Sequence, residues 1–234
     1  MSHLDAALRS PDSKGPYVRR LFHTIADRYD FITVLLSFGL DRRWKQRLVA
    51  LSGASDGKRA LDLACGTGDI ALALAERGAR VTGLDITLRM LQLARAKPGR
   101  AAFLAGDMTS LPFPDQSFDL VTTGYGIRNV PRIEPAIAEI HRVLRPGGLL
   151  LSLDFDRPDR TVLRGIYLGY LTCVGSALGW VLHRDPDTYR YIPASIARYP
   201  GARRVSALLG QAGFAECRVI PLLAGLMAIN VARR

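Results

Sequence analysis

Hydrophobic positions in the middle of the chain alternate between short continuous runs and spaced ones. The continuous runs predict five strands, at 59–64, 80–85, 101–107, 118–124 and 149–155. Between them, apolar residues recur at three- and four-residue intervals and predict helices at 69–79, 88–96 and 133–144. Thr87 is the predicted cap of the second helix, and "RPGG" is the predicted stop of the third. This alternation indicates an α/β fold with a parallel, doubly wound sheet, which binds ligands at the carboxyl ends of its strands.

A glycine loop, "LDLACGTGD", follows the first of these strands. Gly66 and Gly68 lie in the predicted turn into the helix, where missing side chains let a ligand approach the backbone. A dinucleotide-binding loop would carry a third glycine where this chain has Ala71. Asp62 and Asp69 flank the loop, and carboxylates there would repel a pyrophosphate but attract a cationic amine and a sulfonium.

The next two strands each end in an acidic residue. Asp85 closes the second strand, where an acid can accept hydrogen bonds from both hydroxyls of a ribose. Asp107 closes the third and would receive an adenine amino group, with Met108 packed on the ring. These features favour S-adenosylmethionine over NAD as the cofactor, and the alternative is an unliganded turn with capping aspartates. The predicted cofactor-binding residues are Asp62, Ala64, Gly66, Thr67, Gly68, Asp85, Ile86, Asp107, Met108 and Gly124.

Charge is distributed unevenly along the 234 residues, whose net charge is +11. The excess lies in the flanks, at +5 for residues 1–59 and +6 for residues 155–234, around a neutral middle. Such flanks suggest nucleic acid or the anionic face of a membrane as a partner, and a solvated basic surface is the alternative. The polar start lacks a signal pattern and the three cysteines lack metal-ligand spacing. We therefore expect a cytoplasmic protein with reduced thiols and no metal site.

One segment, Ile166–Leu182, is uncharged throughout and reaches the lower limit of a membrane span. Its glycines, its polar residues and the lack of a signal sequence favour instead an apolar helix, or a broken pair of helices, at the mouth of the active site. The alternative is a core helix of a cap. Four arginines are predicted to meet lipid phosphates at the ends of the segment: Arg157, Arg160, Arg164 and Arg184.

Several longer stretches resemble the UbiE-type C-methyltransferases of ubiquinone and menaquinone biosynthesis. They are "LDLACGTGDIALALA", "GDMTSLPFPDQSFDLVT", "GYGIRNV" and "AEIHRVLRPGGLLLSLDF", with "IADRYDFITVLLSFGLDRRWK" upstream and "DTYRYIPASIARYPGARRVSALLGQAGF" downstream. The glycine loop and "RPGG" occur in many methyltransferases, whereas "GIRNV" with "RYD" and "RRWK" is more particular. The resemblance implies a Rossmann-like class I methyltransferase fold of seven mostly parallel strands, the last of them antiparallel. Its last two strands would be "AGFAECRVIP" and "LMAINVA".

The resemblance also implies an activity, the S-adenosylmethionine-dependent C-methylation of a prenylated hydroquinone. Demethylmenaquinol, demethoxy-benzoquinol and another phenolic or isoprenoid acceptor all stay open. Arg128 would stabilise the phenolate and order a water that takes the ring proton, because a guanidinium cannot itself be the base. Asn129 would fix that water, and Tyr29, near the end of an N-terminal helix, would face the ring. The alternative pairs Arg128 with a structural carboxylate and makes Asn129 the cap of the next turn.

The polar start of the chain predicts a flexible arm at 1–16, and the resemblance implies one methyltransferase domain at 17–234. The apolar segment would hold the prenyl tail, and the protein would touch anionic lipid transiently at the inner membrane face, as a monomer or a homodimer. The domain is predicted to comprise a helical N-terminal cap at 17–52, a cofactor-binding core at 59–155, a helical lid at 157–200, and a last helix and strands at 201–234.

Four residues depart from the family pattern. Thr33 stands where an asparagine is usual, and Asp41 replaces a frequent histidine. Ala224 replaces one glycine of a pair, and Asn230 replaces a histidine. None of them belongs to the cofactor motifs, so they bear on the identity of the acceptor.

Three other functions fit the sequence less well. Enzymes that methylate amino groups of nucleic-acid bases carry an Asn/Asp-Pro-Pro-aromatic loop after the fourth strand, where this chain reads "TTGYGIRN", and cytosine-5 enzymes need a cysteine there. An NAD-dependent dehydrogenase is disfavoured by the missing glycine and the acids of the loop. A scaffold without turnover is disfavoured because both the cofactor set and the Arg–Asn pair are intact.

Overall fold

The sheet has seven strands. They are β1 Arg59–Leu63, β2 Arg80–Asp85, β3 Ala102–Ala105, β4 Phe118–Gly124, β5 Leu144–Phe155, β6 Ala215–Leu222 and β7 Met227–Arg233. The computed structural model describes Leu4, residues 7–157 and residues 161–234, and within them the strand order is β3-β2-β1-β4-β5-β7-β6. β1 to β5 pair in parallel, whereas β7 is antiparallel to both β5 and β6. The predicted doubly wound sheet and its antiparallel last strand are confirmed.

Helices cover both faces of the sheet and one end of it. They are α1 Pro11–Ile25, α2 Tyr29–Leu36, α3 Asp41–Leu51, α4 Asp69–Glu76, α5 Leu88–Ala96, α6 Ile133–Val143, α7 Thr161–His183, α8 Asp187–Arg198 and α9 Ala202–Gln211. Apolar side chains of α3 and α4 pack on one face, and those of α6 and α9 pack on the other. A third apolar cluster joins α1, α2, α7 and α8, which we call the helical cap.

Two strands and one helix start differ from their predicted forms. β3 is short, so that Asp107 follows it by two residues instead of closing it. β5 begins at Leu144 and includes "RPGG", because a register shift between the pairs Phe118–Leu144 and Leu120–Leu149 absorbs the extra residues. Thr87 does precede α5, but its hydroxyl makes no capping hydrogen bond.

Residues 11–16 of the predicted arm form the first turns of α1. Ser10 caps this helix by accepting a hydrogen bond from the backbone N–H of Ser13 at 3.3 Å. Lys14 then ties the helix to the body of the protein through hydrogen bonds to the backbone carbonyls of Arg128 and Val130. The start of α1 is therefore held by tertiary contacts that the polar sequence does not reveal.

The apolar segment predicted as a helix or a broken pair is one continuous helix, α7. Two of its glycines are buried where α8 crosses it: a Cβ on Gly179 would lie 2.5 Å from the carbonyl oxygen of Asp185, and glycine there permits the close approach. α7 is long and apolar enough to cross a membrane by length and composition, but only 22% of its most apolar window is buried in the protein. Of the flanking arginines, Arg160 lies outside the described residues.

Candidate active site

The glycine loop turns sharply at the carboxyl end of β1. Ala64, Gly66 and Gly68 have φ values of 50°, 54° and 85°, in the left-handed region that favours glycine. Asp85, at the end of β2, accepts a hydrogen bond of 2.8 Å from the N–H of Gly66 and another of 2.8 Å from the N–H of Thr87. This carboxylate therefore fixes the loop against the end of β2, and burial raises its pKa.

A cavity opens over this loop, with an empty volume of about 780 Å³ that includes its open mouth. The helical cap contributes Gly15, Val18, Phe22 and Tyr29 to its wall. The predicted residues that line it are Ala64, Gly66, Asp85, Ile86, Asp107, Met108, Gly124 and Asn129, with Tyr29. The structure thus brings together most of the predicted cofactor residues, at the carboxyl ends of β1, β2 and β4 and in the loop after β3.

The other three predicted cofactor residues lie beside this cavity. Asp62 and Thr67 line a smaller cleft, which shares Ala64, Gly66 and Tyr29 with the main cavity. A Cβ on Gly68 would lie 2.9 Å from the ring of Phe103, so this glycine permits packing of the loop on the sheet.

Asp62 is almost fully buried beneath the loop. Its Oδ1 accepts a hydrogen bond of 2.7 Å from the hydroxyl of Thr122, while its buried Oδ2 has no hydrogen-bond partner among the described residues. Burial raises the pKa of Asp62 to about 7, although the Thr122 hydroxyl acts in the opposite direction. A cationic group in the adjoining cleft would find an unsatisfied carboxylate oxygen here.

Asp69 lines the smaller cleft with Asp62, but two lysines engage its carboxylate. Asp69 forms ion pairs with Lys45 at 2.9 Å and with Lys97 at 2.7 Å. Burial opposes ionisation of Asp69, but the charge of Lys45 and the hydrogen bonds from both lysines hold its pKa below the usual value. Its negative charge is therefore committed to the protein itself.

Lys97 also connects the loop to the helical cap. Lys97, at the end of α5, also pairs with Asp30 at 2.8 Å, and Asp30 accepts a hydrogen bond of 2.5 Å from the hydroxyl of Thr67. Tyr29 and Asp30 open α2 after a 3-10 turn at Ala26–Arg28, whereas the sequence placed them near the end of a helix. This position sets Tyr29 beside Gly66, since a Cβ on that glycine would lie 3.9 Å from the tyrosine ring.

Asp41 and Tyr125 make a second buried contact at the site. The hydroxyl of Tyr125 donates to Asp41 at 2.7 Å, and Lys45 pairs with the same carboxylate at 2.7 Å. Burial opposes the charge of Lys45, but Asp41 and Asp69 hold its pKa above the usual value. Asp41, which departs from the family pattern, therefore anchors the turn after β4.

Arg128 lies in a 3-10 turn, Ile127–Asn129, and only 7% of its surface is exposed. Its Nε lies 3.1 Å from Asp154 in β5, and its guanidinium carbon lies 4.9 Å from the ring centroid of Phe155. Asp154 also accepts a hydrogen bond from the backbone N–H of Arg128. The carboxylate pairing that the sequence left as an alternative is present, so any further role of Arg128 has to act through its remaining N–H groups.

The side chain of Asn129 makes three hydrogen bonds to its neighbours. Its Nδ2 donates to the carbonyl of Tyr125 at 2.7 Å, and its Oδ1 accepts hydrogen bonds from Arg128 at 2.9 Å and from the hydroxyl of Tyr191 at 2.8 Å. This amide joins the turn after β4 to α8.

A second cavity of about 640 Å³ lies beside the first and shares Phe22, Tyr29 and Tyr125 with it. Thr33, another departure from the family pattern, lines it, while its hydroxyl donates to the carbonyl of Tyr29 at 2.9 Å. Among the described residues that line this second cavity, Arg128 is the charged one. We call it the aromatic cavity, because aromatic side chains make up eight of its seventeen described lining residues; besides the three shared ones they are Trp44, Phe155, Tyr167, Tyr189 and Tyr191.

Comparison with known proteins decides the family. A profile described as the ubiE/COQ5 methyltransferase family matches residues 10–234. The chain belongs to the ubiE/COQ5 methyltransferase family. Among its relatives, a demethylmenaquinone methyltransferase of Thermus thermophilus is 42% identical over 220 residues, covering 92% of this chain and 100% of that one. A ubiquinone/menaquinone biosynthesis C-methyltransferase UbiE of Methylobacterium nodulans is 41% identical over 229 residues, covering 94% of this chain and 91% of that one.

Solved structures agree on the fold of this ubiE/COQ5 methyltransferase. A possible histamine N-methyltransferase of Thermotoga maritima superposes with a TM-score of 0.66 at 20% identity, over 92% of this chain and 99% of that one. A putative methyltransferase of Haloferax volcanii, in complex with the Trm112 activator, superposes with a TM-score of 0.65 at 22% identity, over 91% of this chain and 96% of that one. At these identities the likeness speaks for the fold alone.

As a member of this family, the chain is a C-methyltransferase that uses S-adenosylmethionine. The residues present fit that cofactor: Asp62 has an unsatisfied buried oxygen, and Asp85 and Met108 line the larger cavity. Sequence reasoning missed the contributions of Lys14, Lys45 and Lys97, because their partners lie in distant parts of the chain.

Proposed function

We propose that this ubiE/COQ5 methyltransferase methylates a ring carbon of a prenylated hydroquinone, demethylmenaquinol or demethoxy-benzoquinol. The observation that carries the proposal is the aromatic cavity, which adjoins the cofactor cavity across Phe22, Tyr29 and Tyr125. Aromatic walls suit a flat quinol ring, since stacked and edge-to-face contacts stabilise it. The names of the relatives, demethylmenaquinone methyltransferase and UbiE, support the same class of acceptor.

The protein itself must meet two requirements of the reaction. S-adenosylmethionine supplies an electrophilic methyl group when bound. The acceptor carbon must be electron-rich, which an ionised hydroxyl beside it achieves, and it must be held in line with the methyl group. The walls that the two cavities share would hold this alignment, and closing them would exclude water from the methyl donor.

Arg128 would stabilise the negative charge of the ionised quinol. Its guanidinium lies in the wall of the aromatic cavity, and its pairing with Asp154 leaves further N–H groups to donate. The proton lost by the ring would pass to a water ordered by Arg128 and Asn129, because neither side chain is itself a base. Tyr29, in the walls of both cavities, would orient the ring towards the cofactor.

We also propose that the helical cap touches an anionic membrane surface transiently. Val162, Ile166 and Val181 of α7 are 74%, 66% and 66% exposed, and they share one helix stripe with Tyr170. Phe38, 64% exposed, stacks on Tyr170 at 4.8 Å and extends this apolar face towards α2. Arg164 and Arg184 lie in and beside the same helix and suit lipid phosphates. The prenyl tail would reach the aromatic cavity from this side.

A turnover assay with labelled S-adenosylmethionine tests the proposed acceptor. Reduced demethylmenaquinol and demethoxy-benzoquinol run in parallel with the wild type, with Tyr29→Phe and with the remote control Arg77→Gln. Label in the naphthoquinol alone marks a menaquinone enzyme, and label in both marks a dual-purpose one. Cofactor binding without label in either ring would reject the quinol assignment.

Sedimentation with vesicles tests the membrane contact. Binding to vesicles that contain phosphatidylglycerol, but not to pure phosphatidylcholine, is expected, and Ile166→Ser with Val181→Ser should weaken it. Equal sedimentation of the wild type and the variant would reject the contact. A change from dimer to monomer in the variant, without vesicle binding by the wild type, would assign this face to a second copy of the chain.

A further inference from the structure

A third cavity, of about 980 Å³, lies between the starts of three helices and the end of α8, and it adjoins the cofactor cavity, with which it shares Val130 and Pro131. It is lined by residues at the beginnings of α1, α6 and α9, among them Pro11, Ile133 and Arg204. Arg128 lies in the walls of both this cavity and the aromatic one. We call it the basic cavity, and neither the methyl donor nor the acceptor accounts for it.

Six of the seven charged side chains in the described lining of the basic cavity are positive. One lining residue is acidic, Glu134 in the first turn of α6. Arg128 also takes part, although Asp154 offsets its charge. The other basic residues of the lining are Arg9, Lys14, Arg132, Arg198 and Arg204.

The helix starts add to the positive potential. An α-helix carries partial positive charge at its N-terminus, where backbone N–H groups lack intrahelical acceptors. Arg132, which precedes α6, and Gly201, which precedes α9, provide no side-chain cap to these helices. Asp156 satisfies the first N–H of α9 at 2.7 Å, whereas the N–H groups of Ile133 and Glu134 at the start of α6 have no side-chain cap; Pro135 has no N–H to offer.

Lys14 connects the basic cavity to the catalytic turn. Its ammonium donates hydrogen bonds of 2.9 Å to the carbonyl of Arg128 and 2.7 Å to the carbonyl of Val130, on either side of Asn129. Burial and the charge of Arg128 together lower the pKa of Lys14 to about 8, although the charge of Asp154 acts in the opposite direction. An anion in the cavity would offset both effects.

We propose that the basic cavity is a binding site for a phosphate oxyanion, either free phosphate or the phosphate of a lipid headgroup. The guanidinium group of an arginine can donate two parallel hydrogen bonds to the oxygens of a phosphate, and the start of α6 supplies backbone N–H donors to the same anion. The bound anion stabilises the ammonium of Lys14 and so fixes the turn that carries Arg128 and Asn129. This site goes beyond the proposed methylation, because the methyl donor and the acceptor are assigned to the other two cavities.

Calorimetric titration with inorganic phosphate, at constant ionic strength set with sodium chloride, tests the site. The wild type binds phosphate, and the double variant Arg132→Gln/Arg204→Gln loses about tenfold or more in affinity, because two charge-assisted contacts are removed. Both arginines are exposed, so the variant keeps its fold. Arg77→Gln, an exposed arginine after α4 and outside the cavity lining, binds phosphate like the wild type.

Vesicles of phosphatidylglycerol and phosphatidylcholine distinguish the two sources of phosphate. If free phosphate binds and competes with the vesicles, the site accepts both. If the vesicles bind through Arg132 and Arg204 and free phosphate does not compete, the ligand is a lipid headgroup, which also supports the oxyanion site. If neither ligand distinguishes the double variant from Arg77→Gln, the proposal is overturned. No quinol is used, so these outcomes are independent of the methylation assay.

Discussion

The hydroxyl of Tyr125 and the carboxylate of Asp41 lie 2.7 Å apart and are both buried. Tyr125 has a φ of 61°, a left-handed conformation that is unfavourable for a bulky residue and that needs support from its surroundings. The hydrogen bond to Asp41 supplies such support, and Lys45 balances the charge of the carboxylate. The geometry of the turn after β4 thus depends on the first residue of α3.

Replacing Asp41 should destabilise the protein strongly. Asp41→Ala leaves the hydroxyl of Tyr125 unpaired and removes one of the two carboxylates of Lys45, which should lower the free energy of unfolding by about 3 kcal/mol. Urea unfolding measures the loss. Asp115→Ala is the control: Asp115 pairs with Arg142 in an exposed ion pair, whose removal should cost less than about 1 kcal/mol. Equal losses in the two variants would contradict the structural role of Asp41.

Cofactor affinity should depend on pH through Asp62. Its pKa is about 7, so only about a tenth of it is ionised at pH 6 and about nine-tenths at pH 8. If Asp62 receives the amino group of S-adenosylmethionine, calorimetry should show about tenfold tighter binding at pH 8 than at pH 6. Asp62→Asn should bind more weakly and lose this increase. An identical pH profile in the variant would exclude Asp62 as the group responsible.

The same carboxyl group predicts how stability without cofactor changes with pH. Because its pKa is higher in the folded than in the unfolded state, the folded protein binds the extra proton between about pH 4 and pH 7. The contribution of Asp62 to the free energy of unfolding should therefore fall as the pH rises through this window. Thermal melts recorded between about pH 4 and pH 7 should show a smaller loss of stability with rising pH for Asp62→Asn than for the wild type.

Arg128→Lys should separate catalysis from cofactor binding. Lysine keeps the charge beside Asp154 but loses the planar group that packs on Phe155 and bonds Asn129. We expect kcat to fall by about a hundredfold, since a donor to the developing charge is displaced. The Kd for S-adenosylmethionine should stay the same, because Arg128 does not line the cofactor cavity. Arg142→Lys, at a remote ion pair, is the control and should retain both values.

Ala224→Gly should stabilise the protein slightly. Ala224 has φ 51° and ψ 30°, which costs an alanine more than a glycine. The gain, less the greater entropy of glycine in the unfolded chain, should be about 0.5–1 kcal/mol. Gly225→Ala is the matched opposite: its φ of 86° should make that variant less stable. A lower melting temperature for Ala224→Gly and a higher one for Gly225→Ala would refute this account of the family's glycine pair.

The sheet and the cofactor loop were predictable because their signals are local. A strand is revealed by its own apolar run, and the loop by Gly66 and Gly68, with Asp85 at the next strand end. Asp69 shows where this reasoning fails: its spacing suggested a ligand contact, but its partners are Lys45 and Lys97, from α3 and the end of α5. Nothing in the local pattern around an acid reveals which distant cation pairs with it.

The aromatic cavity could not be predicted from the sequence, for a related reason. Tyr167, Tyr189 and Tyr191 belong to helices whose apolar residues are typical of any packed helix. Only the crossing of α7 and α8, which Gly175 and Gly179 allow, places these rings beside Tyr29 and Arg128. A pattern of residue types predicts that a helix is buried on one side, but not what it encloses.

The placement of β7 between β5 and β6 has a consequence for the order of assembly during synthesis. Phe155 at the end of β5 pairs with Met227, and Asp154 pairs with Ala228, so this side of β5 stays an open edge while α7, α8 and α9 are translated. β1 to β4 can pair with one another before then. During synthesis, the strands that carry the cofactor loop can therefore pair while the apolar edge of β5 is still exposed. A protein truncated before residue 227 should aggregate through that edge.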